Sequence, residues 1–163
     1  MTEITFRTAE TADRAAILDL NVRVFGRSDE ADIVSRLEAD GDALLQLVAV
    51  METDIVGHIL FYAIRIEGRT RAVGLGPMSV NPWAQRSGIG SGLVHYGLRH
   101  LQDGGVGLVF VLGHPAYYPR FGFSEATAAA FIAPWKGPQF MAVRLRHGPP
   151  SAGRLQFPSA FGV

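Results

Sequence analysis

The run NPWAQRSGIGSGLV, Asn81 to Val94, holds three glycines and two serines between a proline turn and an apolar segment. Gly88, Gly90 and Gly92 would let an anion approach the backbone without meeting a Cβ. A helix starting there would aim unpaired N–H groups and the positive end of its dipole at the same spot. Arg86 can add a charge-assisted contact, and Ser87 and Ser91 can add hydroxyl donors, which together suit a pyrophosphate. On spacing alone the same glycines serve a tight turn and close helix–sheet packing about as well, so both readings stand. A nucleotide P-loop needs a lysine and then Ser or Thr after its last glycine, but Gly90 is followed by Ser91 and Gly92. A dinucleotide fingerprint is weakened at Leu93, where it expects Gly or Ala.

Other side chains could move protons. His114 and His58 could each relay one near neutral pH, although a structural role explains either. Tyr117 and Tyr118 lie beside Phe121 and Phe123, where aromatic packing accounts for one of the two phenols. His95 and His100, five apart, fall on different faces of a helix. Glu30 and Asp32 could attract a cationic amine or simply form a solvated helix face. The chain has no cysteine, so disulfides, thiolate metal sites and cysteine nucleophiles are excluded; no zinc motif is present and no metal is expected.

These residues need elements to hold them. Ile4 to Arg7 read as a strand, followed by a helix with Ala16, Ile17, Leu20 and Val24 on one face and Thr11 or Asp13 near its start. A second helix opens at Ser28 and Asp29, carries Glu30 in its first turn and Ile33, Val34 and Leu37 on its apolar face, and stops at Gly41. Two apolar strands around Glu52 to Asp54 and a third in RAVGLGPMSV predict an antiparallel meander. Pro77 in that third strand predicts a bend, because proline cannot donate a ladder hydrogen bond. The glycine turn then leads into a helix bearing Leu93, Val94, Leu98 and Leu101, and into the β-rich run VGLVFVLG. Strand, turn, helix, strand suits a parallel crossover, which sets the helix N-terminus beside the carboxyl ends of strands, where open sheets bind ligands. From Ala133 onward proline and glycine predict a loop-rich region with one strand.

A length of 163 residues suits a single domain spanning 1–163, with a loop-rich tail over 146–163. With 48% hydrophobic and 18% charged residues, and 15 basic side chains against 15 acidic ones, neither disorder nor a nucleic-acid partner is expected. The start of the chain shows no apolar signal core, and no run approaches the ~20 apolar residues that span a bilayer, so a cytoplasmic protein without a membrane partner is expected.

SVNPWAQRSGIGSGLV resembles the acetyl-CoA loop of the GNAT superfamily of N-acetyltransferases. The signature is Gln or Arg, two residues, Gly, one residue, then Gly or Ala, and it is met by Gln85, Gly88 and Gly90 between a strand ending at Val80 and an amphipathic helix. Downstream, GHPAYYPRFGF resembles the second landmark of the family, a tyrosine on a short helix followed by a Gly–Phe pair that begins another strand. The small bacterial members with LGPLAV-like and YYxRFGF-like segments are the most similar, and the resemblance runs from about Ile4 to Arg146. It implies an α/β (α+β) fold: a mixed central sheet of about seven strands, about four helices and a splayed parallel strand pair that admits the pantetheine arm.

The resemblance further implies that the backbone of Met78, Ser79 and Val80 meets the pantetheine and the acetyl carbonyl, while Gln85, Arg86, Ser87, Gly88, Ile89, Gly90 and Ser91 hold the pyrophosphate. Tyr118 matches the tyrosine that protonates or hydrogen-bonds the departing thiolate, with Tyr117 as fallback and His114 as a second catalytic candidate. The strand RAVGLGPMSV lacks the glutamate base that several members carry there. An α-amine of pKa ~8 needs little help from a base, whereas a lysine amine at ~10.4 needs more. The implied activity moves an acetyl group from acetyl-CoA directly to a primary amine of a small molecule or peptide. The missing glutamate leaves a non-catalytic acyl-CoA-binding or regulatory module as the alternative, transfer of a longer acyl group is a third reading, and a homodimer stays open.

Overall fold

The computed structural model describes residues 3–163, so the first two residues of the expected 1–163 domain lie outside it. By contact density the chain divides into two compact units, one running up to Phe61 and resuming over Pro77–Gly97, the other comprising Tyr62–Gly76 and Leu98–Val163.

In the first unit β1 (Ile4–Thr8) pairs antiparallel with β2 (Ala43–Met51), Thr5 facing Val50 and Arg7 facing Val48. Between them lie α1 (Arg14–Phe25) and α2 (Asp29–Ala39). Gly26 ends α1 at φ 69°, its N–H donating to the Val22 carbonyl at 2.8 Å. Ser28 caps α2 through its carbonyl, which accepts from the Asp32 N–H at 2.8 Å, and not through its hydroxyl. The buried face of α1 differs from the expected one. Ile17 and Leu20 are inside, but Ala16 is exposed, Val24 is half-buried, and Asn21 takes a fully buried position. The helix turns that way because a polar partner waits beneath Asn21, as described below. Glu52, at φ 56°, turns the chain into β3 (Asp54–Ile66).

β4 (Thr70–Val80) and α3 (Ile89–Asp103) follow, with Leu93, Val94, Leu98 and Leu101 buried as their spacing requires. Three glycines set how closely α3 lies on the sheet within the first unit. A Cβ on Gly92 would stand 2.3 Å from the Phe6 ring, one on Gly97 would stand 2.3 Å from the Phe61 ring, and one on Gly57 would meet Ile89 at 2.9 Å. Gly92, first read with Gly88 and Gly90 as backbone for an anion, is therefore a packing glycine.

In the second unit β5 (Leu108–Leu112) runs parallel to β4, Val73 facing Val109 and Leu75 facing Val111. The predicted crossover is present. The ladder spans Val73–Leu75 only; Gly76 then takes φ 140° and Pro77 has no N–H to offer. On the other side of β5, β7 (Phe140–Arg144) pairs antiparallel over five residues. β6 (Phe131–Ile132) and β8 (Gly153–Gln156) pair in parallel, and β8 also adds antiparallel to β3 at Arg65 and Ile66. Among the described residues the strand order is β1-β2-β3-β4-β5-β7 in an eight-stranded mixed sheet, with four helices counting the short α4 (Glu125–Ala128).

Two expectations need correction. The stretch after Ala133 carries two strands, since β8 lies inside the expected loop-rich tail; its four residues, flanked by proline and glycine, are too few for a periodic signal, and long-range pairing to β3 decides their state. Phe123 does not open a strand either. Gly122 at φ 94° leads to a single bridge, Ser124 to Ala142, after which the Ser124 hydroxyl caps α4 by accepting from the Thr127 N–H at 3.1 Å.

Candidate functional site

The glycine turn begins where β4 ends. The Asn81 N–H donates to the Val56 carbonyl at 2.8 Å, and the 3-10 turn Pro82–Ala84 buries Ala84. Gln85 turns its side chain back, Nε2 donating to the Val80 carbonyl at 3.0 Å, and the Ser87 hydroxyl donates to the Ala84 carbonyl. Both side chains brace the loop by bonding back onto its backbone. Arg86 and Gly88 then take left-handed backbone, φ 68° and 83°, immediately before α3. A non-glycine residue at such a φ is uncommon, and here it re-aims successive N–H groups of an exposed stretch. The first N–H groups of α3 have no acceptor within the helix. A Cβ on Gly88 would meet nothing within 4 Å, so its glycine serves the backbone angle and leaves open space in front of it. The turn therefore offers backbone N–H groups beside the exposed Arg86, which suits a phosphate oxyanion. Ile89 is buried beneath it, while Gly90 and Ser91 are half-buried.

Met78 and Val80 are half-buried, and Ser79 between them is 2% exposed with a hydroxyl that has no hydrogen-bond partner among the described residues. A sealed hydroxyl on a strand is a cost the sequence alone does not reveal.

In the second unit Tyr118 opens the 3-10 helix Tyr118–Phe121 and is buried at 8% exposure. Its ring stands edge-on to Tyr117 at 5.1 Å and to Phe123 at 5.7 Å, and it fits only because Gly113, whose Cβ would fall 2.4 Å away, has none. Burial, aided by the neighbouring Tyr117, pushes the phenol up to about 12. Tyr117 is held differently: it is half-buried, and the Arg120 guanidinium lies 4.4 Å over its ring. His114 is exposed. Its carbonyl accepts from the Tyr117 and Tyr118 N–H groups at 3.0 and 3.3 Å, so what it contributes to the tyrosine turn in this structure is backbone.

His58 is fully buried in the first unit and belongs to a polar chain. Its Nδ1 faces the Asn21 amide at 3.2 Å and its Nε2 faces Gln46 Oε1 at 2.8 Å; Gln46 in turn donates to Glu38 at 3.1 Å. Burial pushes its pKa down to about 3, so the ring is neutral and does not relay protons near pH 7. Sequence reading missed Asn21 and Gln46, although a lone amide in each apolar run was the available signal. Glu30 is engaged by Arg27 at 2.7 Å, which holds its carboxyl below the usual range, and Asp32 is exposed, as a solvated helix face would have it. Among the described residues no cluster could hold a metal ion, and no helix is long and apolar enough to cross a membrane.

Residues 5–126 match the family model described as an acetyltransferase (GNAT) domain. The chain is 38% identical to the uncharacterized N-acetyltransferase YjhQ of Escherichia coli K12 over 141 residues, covering 83% of this chain and 78% of that protein. It is similar in structure to the E. coli GNAT family N-acetyltransferase YhbS in complex with CoA, with a TM-score of 0.92, 29% identity, and coverage of 100% and 94%. A GNAT family acetyltransferase from Brucella melitensis in complex with acetyl-CoA superposes with a TM-score of 0.83 at 30% identity, covering 98% of each chain. A family match over most of the chain, joined to a strand–glycine turn–helix unit of the right form, makes the protein a member of the GNAT family of N-acetyltransferases.

Proposed function

We propose that the protein transfers an acetyl group from acetyl-CoA directly to a primary amine of a small molecule or peptide, acting as one domain in a cytoplasmic setting. The observation that carries the reading is the left-handed pair Arg86 and Gly88 directly before the open N-terminus of α3. The residues present fit the group: N–H donors and a guanidinium suit a polyanion, and there is open space in front of Gly88. Relatives captured with CoA and with acetyl-CoA support the same identity for the ligand. When bound, acetyl-CoA supplies the activated acetyl thioester.

In this reading the backbone of Gln85 to Ser91 binds the pyrophosphate and Met78 to Val80 orient the pantetheine. Tyr118 meets the departing sulfur. A phenol at about 12 against a thiol near 8.5 makes complete proton transfer uphill by roughly 5 kcal/mol, so Tyr118 acts as a hydrogen-bond donor to the developing thiolate. That same raised value keeps the donor proton in place throughout the working range. With no glutamate on β4 and His58 neutral and occupied, the amine is one that is partly neutral at working pH or loses its proton to water; His114 stays the residual side-chain candidate. A thiol-release assay over α-amines, lysine-like amines and peptides tests this. The reading expects turnover of weakly basic amines without added base, and release that ignores the amine supplied would contradict it.

A further inference from the structure

A cavity of about 480 Å³ lies within the first unit, walled by α1, the turn between β2 and β3, and the residues that follow β4. Most of its charges are spent on each other. Arg7 forks onto both oxygens of Asp13 at 2.7 and 3.0 Å, and Arg23 holds Asp19 at 2.6 Å. Asp54 has no ion pair among the described residues, so two arginines against three aspartates leave one uncompensated negative charge on the wall. Asn81, which lines the cavity, is 6% exposed; its backbone is committed to Val56 and Ala84, while its carboxamide has no protein partner among the described residues. Trp83, 64% exposed, stands at the rim, and Leu20 and Val56 make an apolar floor.

An unpaired carboxylate, an amide oxygen, an indole face and a short apolar floor are together the complement of an organic ammonium, in a volume typical of small-ligand sites. We propose that this cavity binds a primary alkylammonium, its head between Asp54 and the Asn81 amide oxygen, its chain on Leu20 and Val56, and Trp83 across the cation. The site selects the opposite charge from the N–H-lined turn that begins at Gln85, and it does not depend on the acceptor of the transfer reaction.

The test uses the whole chain with three isosteric probes, hexylammonium, 1-hexanol and hexanoate, followed at the indole N–H signals. The chain has two tryptophans, and Trp83→Phe assigns the relevant signal. Hexylammonium should shift the Trp83 indole saturably, the alcohol and the carboxylate should bind at least about fivefold more weakly, and Asp54→Asn should weaken the ammonium by a similar factor, the size of one partly exposed ion pair. Asp54 is exposed at the start of β3, so the variant should fold, and an unchanged Tm checks that. Equal binding of 1-hexanol, an unaltered affinity in Asp54→Asn, or an indole that does not respond overturns the proposal. A response that survives Asp54→Asn places the amine elsewhere and overturns it equally.

Discussion

His58 donates from Nε2 to Gln46 Oε1 at 2.8 Å, because its Nδ1 is committed to accepting from the Asn21 amide, which can only donate there. Protonation would place a second N–H against that amide. The depressed folded value means that the stability His58 contributes is complete above its ordinary value near 6.5 and is lost as pH falls from there toward about 3. The wild-type chain should therefore lose about 2 kcal/mol from this residue between pH 7 and pH 5. His58→Leu should be less stable at pH 7 yet show a shallower loss on acidification, measured by urea unfolding at both pH values. An acid slope unchanged in the variant would contradict the buried neutral assignment.

Gly97→Ala tests the packing of α3. Alanine is favoured over glycine in a helix by about 1 kcal/mol, so propensity alone forecasts a gain. Contact with the Phe61 ring at 2.3 Å forecasts the reverse, a net loss of roughly 1–3 kcal/mol from overpacking. The sign of the change in thermal midpoint decides between them.

Tyr118→Phe removes one hydroxyl from a ring cage that the remaining atoms still fill. Stability should change little, KM should stay within about threefold, and kcat should fall by about tenfold or more as a transition-state donor is lost. Because the phenol sits near 12, no alkaline limb below about pH 11 should arise from Tyr118. Steady-state thiol release across pH checks both points.

Much of the fold was legible from periodicity. The apolar spacing of α3 and the order strand, turn, helix, strand predicted the parallel β4–β5 pair, and Gln85, Gly88 and Gly90 marked the turn. What sequence could not show was how the glycines divide: Gly88 is needed for its backbone angle and Gly92 for contact with Phe6, and nothing in GIGSG tells them apart. Asn21 and Gln46 were illegible for a related reason, since an amide in an apolar run reads as an interruption until its partner across the core is known. β8 was missed because four residues carry no period, and its pairing partner on β3 lies far away in sequence.

Gly88→Ala probes the backbone of the turn separately from its side chains. Since a Cβ there meets nothing, the variant carries only the strain of φ 83°, roughly 1–2 kcal/mol. The turn should relax at that cost, weakening acetyl-CoA by about tenfold with little change in the midpoint of the free protein.

The central claim, that Gln85 to Ser91 form the pyrophosphate cradle of acetyl-CoA, is tested most directly by calorimetric titration of acetyl-CoA into wild type and Gly88→Ala, with inorganic phosphate as the control anion. The account predicts saturable one-to-one binding of acetyl-CoA, weakened about tenfold in the variant, and no comparable binding of phosphate. Equal affinity in wild type and variant, or phosphate binding as tightly as acetyl-CoA, would contradict it.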